Sequence, residues 1–319
     1  MAQSVEIDQA LTRTSLYGTA HEPTYSGVQS FMRRKYTKDL TGVDYAVTGV
    51  TFDTATTNRP GTRFGPAAIR ATSAQLAYGP AWPWGFDPYD RLAVVDYGDC
   101  LFDFGAPDTV PAAIEAHASS ILETGTSLVT LGGDHFITLP LLRAAAKKHG
   151  PLSLVHFDAH SDTWSDESNR IDHGTMFWHA VKEGIIDPQT SVQIGIRTHN
   201  SDHMGITWLD AGWVHEHGTK ETINEALRIV GKGKAYLTFD IDCLDPCFAP
   251  GTGTPVSGGL STYQAQSIIR GLGDIDFVAM DLVEVAPAYD VGSITALAAC
   301  HLIYDYFSMR AQHLPSKVG

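Results

Sequence analysis

Leu154-Val-His-Phe-Asp-Ala-His-Ser-Asp162 decides how the chain is read. The apolar run Leu152 to Phe157 predicts a short buried strand. Asp158, His160 and Asp162 follow at every second position. In an extended chain alternate side chains point the same way, so all three can leave the strand end on one side. Two carboxylates and an imidazole suit a divalent cation such as Mn²⁺, Zn²⁺ or Fe²⁺. Sites in open α/β sheets lie just outside the carboxyl ends of strands. The competing reading is a strand running into an ordinary polar turn.

Two further stretches favour the metal. Ala235-Tyr-Leu-Thr-Phe-Asp-Ile-Asp242 is a second apolar strand, ending in Asp240 and Asp242 at the same spacing. Ser127-Leu-Val-Thr-Leu-Gly-Gly-Asp-His135 is a third. It ends in two glycines, which permit close backbone approach, and then in Asp134 and His135. Carboxylates side by side resist ionisation unless a cation holds them. So many acidic and imidazole groups exceed the needs of one ion and fit two ions sharing bridging carboxylates.

Outward from these motifs, strand and helix signals alternate. Strands are expected at 45–52, 92–96, 128–131, 152–158, 192–196, 235–240 and 277–283. Helices are expected at 67–73, 110–124, 139–149, 176–183, 220–230, 264–272 and 294–309, and Trp213-Val214 reads as a minor strand. This alternation implies α/β architecture with a mainly parallel sheet covered on both faces. No repeat or linker divides the chain, so residues 1–319 are read as one domain. Residues 1–43 form a polar arm anchored on the body or a neighbouring subunit through Phe31, Met32 and Tyr36.

Composition narrows the function classes. With 43% apolar and 18% charged residues, a large core needs no disulfides. The cysteines Cys100, Cys243, Cys247 and Cys300 form no disulfide framework, which suggests a reducing compartment. A thiolate metal site is not supported, because the gap between Cys243 and Cys247 holds Asp245-Pro246 and no second Cys pair exists. A formal charge of −14 argues against nucleic-acid binding and mildly favours cationic partners. No signal peptide or membrane span is visible, so a cytoplasmic protein is expected.

Two more stretches carry chemistry. The strand 277–283 leads into Glu284, a carboxylate at the same sheet edge, able to grip a cationic group. His173, in Asp172-His-Gly-Thr175, follows a polar loop and can transfer protons near pH 7. The alternative for His173 is a helix-start residue. Asn58 lies in a polar loop after the first core strand that either lines the site or merely connects.

Gly132-Gly-Asp-His135, Asp158-Ala-His-Ser-Asp162 and Asp240-Ile-Asp-Cys-Leu-Asp-Pro246 resemble the three signature motifs of the ureohydrolase family. That family comprises arginases, agmatinases and other amidinohydrolases. Arg59 to Pro66, Asp172 to Thr175, Ala249 to Pro255 and Glu284 to Asp290 extend the resemblance over nearly all of the chain after residue 45. Within the family it is closest to the bacterial agmatinases, as in Pro83 to Phe86 and Asp240 to Cys243.

The resemblance implies a three-layer α-β-α sandwich and two Mn²⁺ per subunit. By motif position His135, Asp158, Asp162 and Asp240 hold one ion, and His160, Asp158, Asp240 and Asp242 the other. Asp158 and Asp240 bridge, Asp134 orients a ligand or a loop, and His156 is structural. It also implies a small cationic guanidino substrate and a homo-oligomer, trimer or hexamer. The expected reaction is cleavage of agmatine to putrescine and urea by a metal-bridging hydroxide. Glu284 receives the guanidinium, Asp162 passes a proton to the leaving amine, and His173 exchanges protons with solvent. Hydrolysis of guanidinobutyrate or guanidinopropionate is the alternative. The rivals from other classes are a single-zinc deacylase and a non-catalytic relative that has lost ligands.

Substrate choice is read from Thr163-Trp-Ser-Asp-Glu-Ser-Asn-Arg-Ile-Asp172, which departs from the arginase pattern; the alternative is that this loop is solvated surface and specificity lies in the 79–88 loop or a neighbouring subunit. Asp166, Glu167 and Asp172 oppose one cation, Arg170, so the rim suits an ammonium better than a carboxylate. Trp164 is placed to pack on the methylene chain or face the ammonium, a contact worth about 0.5–2 kcal/mol.

Overall fold

The computed structural model describes residues 7–80, 82–165 and 170–318. Nine strands form one sheet: β1 (Lys35–Tyr36), β2 (Tyr45–Val50), β3 (Val94–Asp99), β4 (Ser127–Gly132), β5 (Ser153–Phe157), β6 (Val192–Ile194), β7 (Thr207–Leu209), β8 (Lys234–Asp240) and β9 (Asp276–Val283). Their order is β1-β3-β2-β4-β9-β8-β5-β6-β7, and every pairing is parallel. The central strands read as near-continuous apolar runs because both of their faces are covered.

The helices are α1 (Gln9–Thr12), α2 (Gly65–Ser73), α3 (Val110–Leu122), α4 (Thr138–His149), α5 (Met176–Lys182), α6 (Ala211–Val230), α7 (Thr262–Gly271) and α8 (Ile294–Ala311). Alternation along each strand sorts them into two layers. Val155 and Phe157 of β5 pack with α2, α6, α7 and α8. Leu152 and Leu154 face the other way, among α3, α4 and α5. The sandwich is therefore a consequence of strand alternation. Helix α8 is buried nearly all round, with Tyr304, Tyr306 and Phe307 almost fully covered, which explains its lack of a polar stripe.

The minor strand and the Tyr36 anchor need correction. Trp213-Val214 belongs to α6, which begins at Ala211, and the minor strand lies just before it at Thr207–Leu209. The Asp210 carboxylate accepts the Trp213 N–H at 2.8 Å and caps the helix. The bulky and β-branched pair suggests a strand, and Gly218, at φ 78°, interrupts the helical period. The arm is also more structured than its polarity suggests. Phe31 and Met32 are fully buried, and β1 adds to the sheet edge beside β3, whereas Tyr36 stays largely exposed.

Neighbouring strands β4, β9, β8 and β5 converge on one place. Phe157 pairs with Phe239, and Asp240 with Val283. The register thus sets the residues that follow β5, β8 and β9 side by side at one sheet edge.

Candidate metal centre

His135 follows β4 directly, held by a tight chain crossing. Gly133 donates to Val50 O at 3.0 Å, and Asp134 N donates to Phe52 O at 2.8 Å. Any Cβ on Gly133 would lie 2.1 Å from Phe52 O, so only glycine fits. Asp134 accepts the N–H groups of Phe136 (3.1 Å) and Ala55 (3.0 Å), tying the loop after β2 to the turn that carries His135.

His135 Nδ1 faces Asp158 Oδ2 at 3.1 Å, Asp162 Oδ2 at 3.0 Å and Asp240 Oδ2 at 3.3 Å. It has no hydrogen-bond partner. The other ring nitrogen, Nε2, lies 2.9 Å from Thr238 Oγ1. Thr238 donates its only hydroxyl proton to Asp281 Oδ1 at 2.6 Å, so it must accept from His135 Nε2–H. A neutral ring then presents its Nδ1 lone pair to three carboxylates, an arrangement stable only around a cation. Burial opposes a second proton here, and the three carboxylates outweigh it, holding the ring well above the ordinary histidine value. A dication satisfies the pocket in place of that proton.

A second group adjoins the first. His160 Nδ1 lies 3.2 Å from both Asp158 Oδ1 and Asp242 Oδ2. Asp158 thus directs one oxygen to each histidine. Asp240 directs Oδ2 to His135, and its Oδ1 accepts the Asp242 N–H at 2.8 Å. Thr254 Oγ1 donates to Asp242 Oδ2 at 3.1 Å. Burial, then the Asp158 charge, pushes the Asp162 carboxyl up to about 7. His135, His156, Asp158 and Asp162 form one set, and Asp158, His160 and Asp242 another, each with candidate ligand atoms within 4.8 Å of one another, the donor types a metal needs; Asp240 meets the first set through His135.

His156 lies close enough to join the first group, yet its proton faces inward. Gln193 Nε2 donates to His156 Nδ1 at 2.9 Å, which leaves Nε2–H to donate to Asp158 Oδ2 at 2.8 Å. Burial lowers this ring to about 4, so it stays neutral. It braces Asp158 and offers no lone pair.

Two residues of the site hold left-handed backbone rarely adopted outside glycine: Asp162 at φ 51° and Glu284 at φ 64°. Such strain concentrates where side chains must be aimed. Glu284 Oε1 accepts the His135 N–H at 2.9 Å, while Oε2 is buried without any hydrogen-bond partner. His173 Nδ1 lies 3.4 Å from Glu284 Oε1. Thr57 donates its N–H to His173 Nε2 at 3.1 Å, with its hydroxyl 2.8 Å away.

A cavity of about 520 Å³ opens beside the cluster, lined by Thr57, His160, Asp162, Trp164, Arg170, Asp172, His173, Asp240 and Thr254 among others, whereas Glu284 lies behind His173 and is not among the described lining residues. Trp164 stands on its wall, its ring 6.4 Å from that of His160. Arg170 is paired with Asp172 at 3.4 Å across a largely exposed contact. Asp166 and Glu167, read above as part of an acidic rim, lie outside the described residues. Asn58 is exposed and donates its amide to Gly253 O at 3.0 Å, joining two loops, and it is not among the described residues lining the cavity.

Sequence reasoning missed Thr57, Thr238, Thr254, Gln193 and Asp281. Asp281 had a visible signal, a carboxylate inside an otherwise apolar strand, where charge is costly unless partnered. Among the described residues no helix is long and apolar enough to cross a membrane.

The arginase family model matches residues 43–308. An agmatinase of Chromobacterium violaceum is 57% identical over 300 residues, 93% of each chain. A crystal structure of a hypothetical agmatinase from Burkholderia thailandensis superposes with TM-score 0.95 at 58% identity, covering 96% of this chain and 98% of that one. The proclavaminate amidino hydrolase of Streptomyces clavuligerus follows at TM-score 0.85 and 37% identity, covering 91% of this chain and 99% of that one.

Proposed function

The chain belongs to the arginase family and is a hydrolase of guanidino carbon–nitrogen bonds, and from that premise we propose that its substrate is agmatine, cleaved to putrescine and urea. We further propose two Mn²⁺ per subunit, one held by His135, Asp158, Asp162 and Asp240 and one by His160, Asp158, Asp240 and Asp242. The observation that carries the guanidinium end is the buried, unpartnered Glu284 Oε2 beside the metal cluster. An ionised carboxylate left without a partner there is costly, and a guanidinium N–H removes that cost. The choice of agmatine over other guanidino compounds is supported by relatives named agmatinase at 52–57% identity.

When bound, the two dications would supply hydroxide near neutral pH by lowering the pKa of water. The chain's own residues do the rest. Glu284 fixes the guanidinium plane, and its Oε1 stays anchored on the His135 amide. Asp162, buried at the cavity floor, is placed to pass a proton to the leaving amine. His173 exchanges protons outward, steadied by Thr57 at Nε2. Trp164 offers an apolar face to the methylene chain, and Asp172 contributes negative charge near the mouth. We also propose a homo-oligomer, trimer or hexamer.

The decisive experiment is urea release from agmatine, arginine, guanidinobutyrate and guanidinopropionate with Mn²⁺ present. Agmatine should give the highest kcat/KM. A higher value for either guanidino acid overturns the substrate while sparing the mechanism. Metal analysis of protein purified without chelator should find about two Mn²⁺ per chain, the donors falling into two sets that share Asp158. One Zn²⁺ would instead favour the deacylase-type alternative.

A further inference from the structure

Behind the metal cluster lies a chain of hydroxyls leading to Asp281, a fully buried carboxylate on β9. Asp281 Oδ2 accepts from Tyr236 Oη at 2.8 Å and from Thr138 Oγ1 at 2.9 Å, and Oδ1 accepts from Thr238 Oγ1 at 2.6 Å. Thr238 in turn sits 2.9 Å from His135 Nε2. An ionised carboxylate only accepts, so all three hydroxyls must point their protons at it. Thr238 is left with lone pairs alone for His135. Burial raises the Asp281 carboxyl above its ordinary value; the nearby His135 and the three hydroxyl donors oppose that rise.

We propose that Asp281 and Thr238 are positioning residues that keep the His135 proton on Nε2, and so reserve its Nδ1 lone pair for one of the two metals. The inference rests on His135 being a metal ligand, as proposed above. It is anchored on three elements, because Thr138 opens α4, Thr238 and Tyr236 lie on β8, and Asp281 lies on β9. The ring is thereby fixed in both orientation and tautomer before any metal arrives. Partners of this kind beyond the ligands typically change metal affinity about 10–100-fold.

Asp281→Asn tests the direction of the relay with almost no change of shape. Two donors, Tyr236 and Thr138, converge on Oδ2, so the Asn oxygen must take that position. Its NH₂ then faces Thr238, where it donates. The acceptor left for the Thr238 proton is then His135 Nε2, and a bond there drives the imidazole proton to Nδ1 and into the metal position. Thr238→Val removes the acceptor, and Thr238→Ser keeps it.

Mn²⁺ titration of the metal-free proteins at pH 8, followed by calorimetry, reads the two sites directly. Wild type and Thr238→Ser should bind two ions with matching affinities. Asp281→Asn and Thr238→Val should each weaken one site about 10–100-fold and leave the other within about threefold. Thermal unfolding of the metal-free forms identifies any variant that fails to fold, and the Thr238→Val and Thr238→Ser pair carries the test if Asp281→Asn does. Unchanged affinity at both sites in the folded variants overturns the relay, as does equal weakening of both sites. Failure of the wild type itself to take up Mn²⁺ would instead overturn the reading of His135 as a ligand.

Discussion

His173 stands between a carboxylate and a backbone amide that ask opposite things of it. Burial opposes a second proton, and Glu284 outweighs it, pushing the ring up to about 9. The Thr57 N–H, donating into Nε2, requires a lone pair there. A ring held between those demands gains and loses a proton readily, which suits exchange with solvent. His173→Asn should lower kcat about 10²–10⁴-fold, the usual worth of a placed acid or base, while Mn²⁺ content stays at the wild-type value. Loss of metal would place His173 in the metal shell and sink its assignment to proton exchange. His173 was legible in the sequence only as a titratable group near the motifs. Its Thr57 partner was not, because residues 57 and 173 meet only through the fold. Asp158, His160, Asp162, Asp240 and Asp242, by contrast, stood out by their two-residue spacing at strand ends, since alternation is a local property of an extended chain, whereas His135 was marked only by following Gly132 and Gly133.

At the scale of elements, the central strands were readable because two-sided burial demands unbroken apolar runs. The edges were not. Strands β1 and β7 span two and three residues, too short for any period to register. Nor does local sequence reveal that β9 inserts between β4 and β8, a long-range choice that sets Glu284 beside His135. That insertion places exacting demands on the β4 exit. Gly133 O accepts the Glu284 N–H at 2.9 Å, while its Cα faces the Val50 and Phe52 carbonyls. Gly133→Ala would force a methyl to within 2.1 Å of Phe52 O and 2.6 Å of Val50 O, both backbone atoms that cannot swing away. The crossing must spread, moving His135 and Glu284 together. The variant should melt lower by roughly 1–3 kcal/mol of stability, as overpacked sites do, and lose kcat by more than tenfold. Wild-type melting and wild-type turnover in Gly133→Ala would show that the crossing has slack.

For the whole molecule, the site concentrates negative charge at the middle of an already acidic chain of formal charge −14. Burial, then the charges of Asp242 and Asp158, holds the Asp240 carboxyl well above its ordinary range. A carboxyl raised on folding costs stability once pH exceeds its unfolded value of about 4, and the loss grows as pH rises toward the folded value. At pH 8 the metal-free chain therefore bears a strain that bound cations remove. Asp240→Asn separates the two effects. Its oxygen can still accept the Asp242 N–H, and one buried negative charge beside Asp242 and Asp158 is gone. Metal-free Asp240→Asn should thus melt above metal-free wild type at pH 8. Adding Mn²⁺ should reverse the order. A ligand at a hundredfold excess over its Kd contributes about 2.7 kcal/mol. For a chain of 319 residues that is roughly 4 °C in Tm for each occupied site. Wild type should gain this at both sites and the variant at neither, because a bridging charge is missing. Differential scanning calorimetry with and without Mn²⁺ measures all four states. If the metal-free variant melts below metal-free wild type, or if Mn²⁺ raises both by the same amount, Asp240 is not the shared ligand on which the two-metal reading depends.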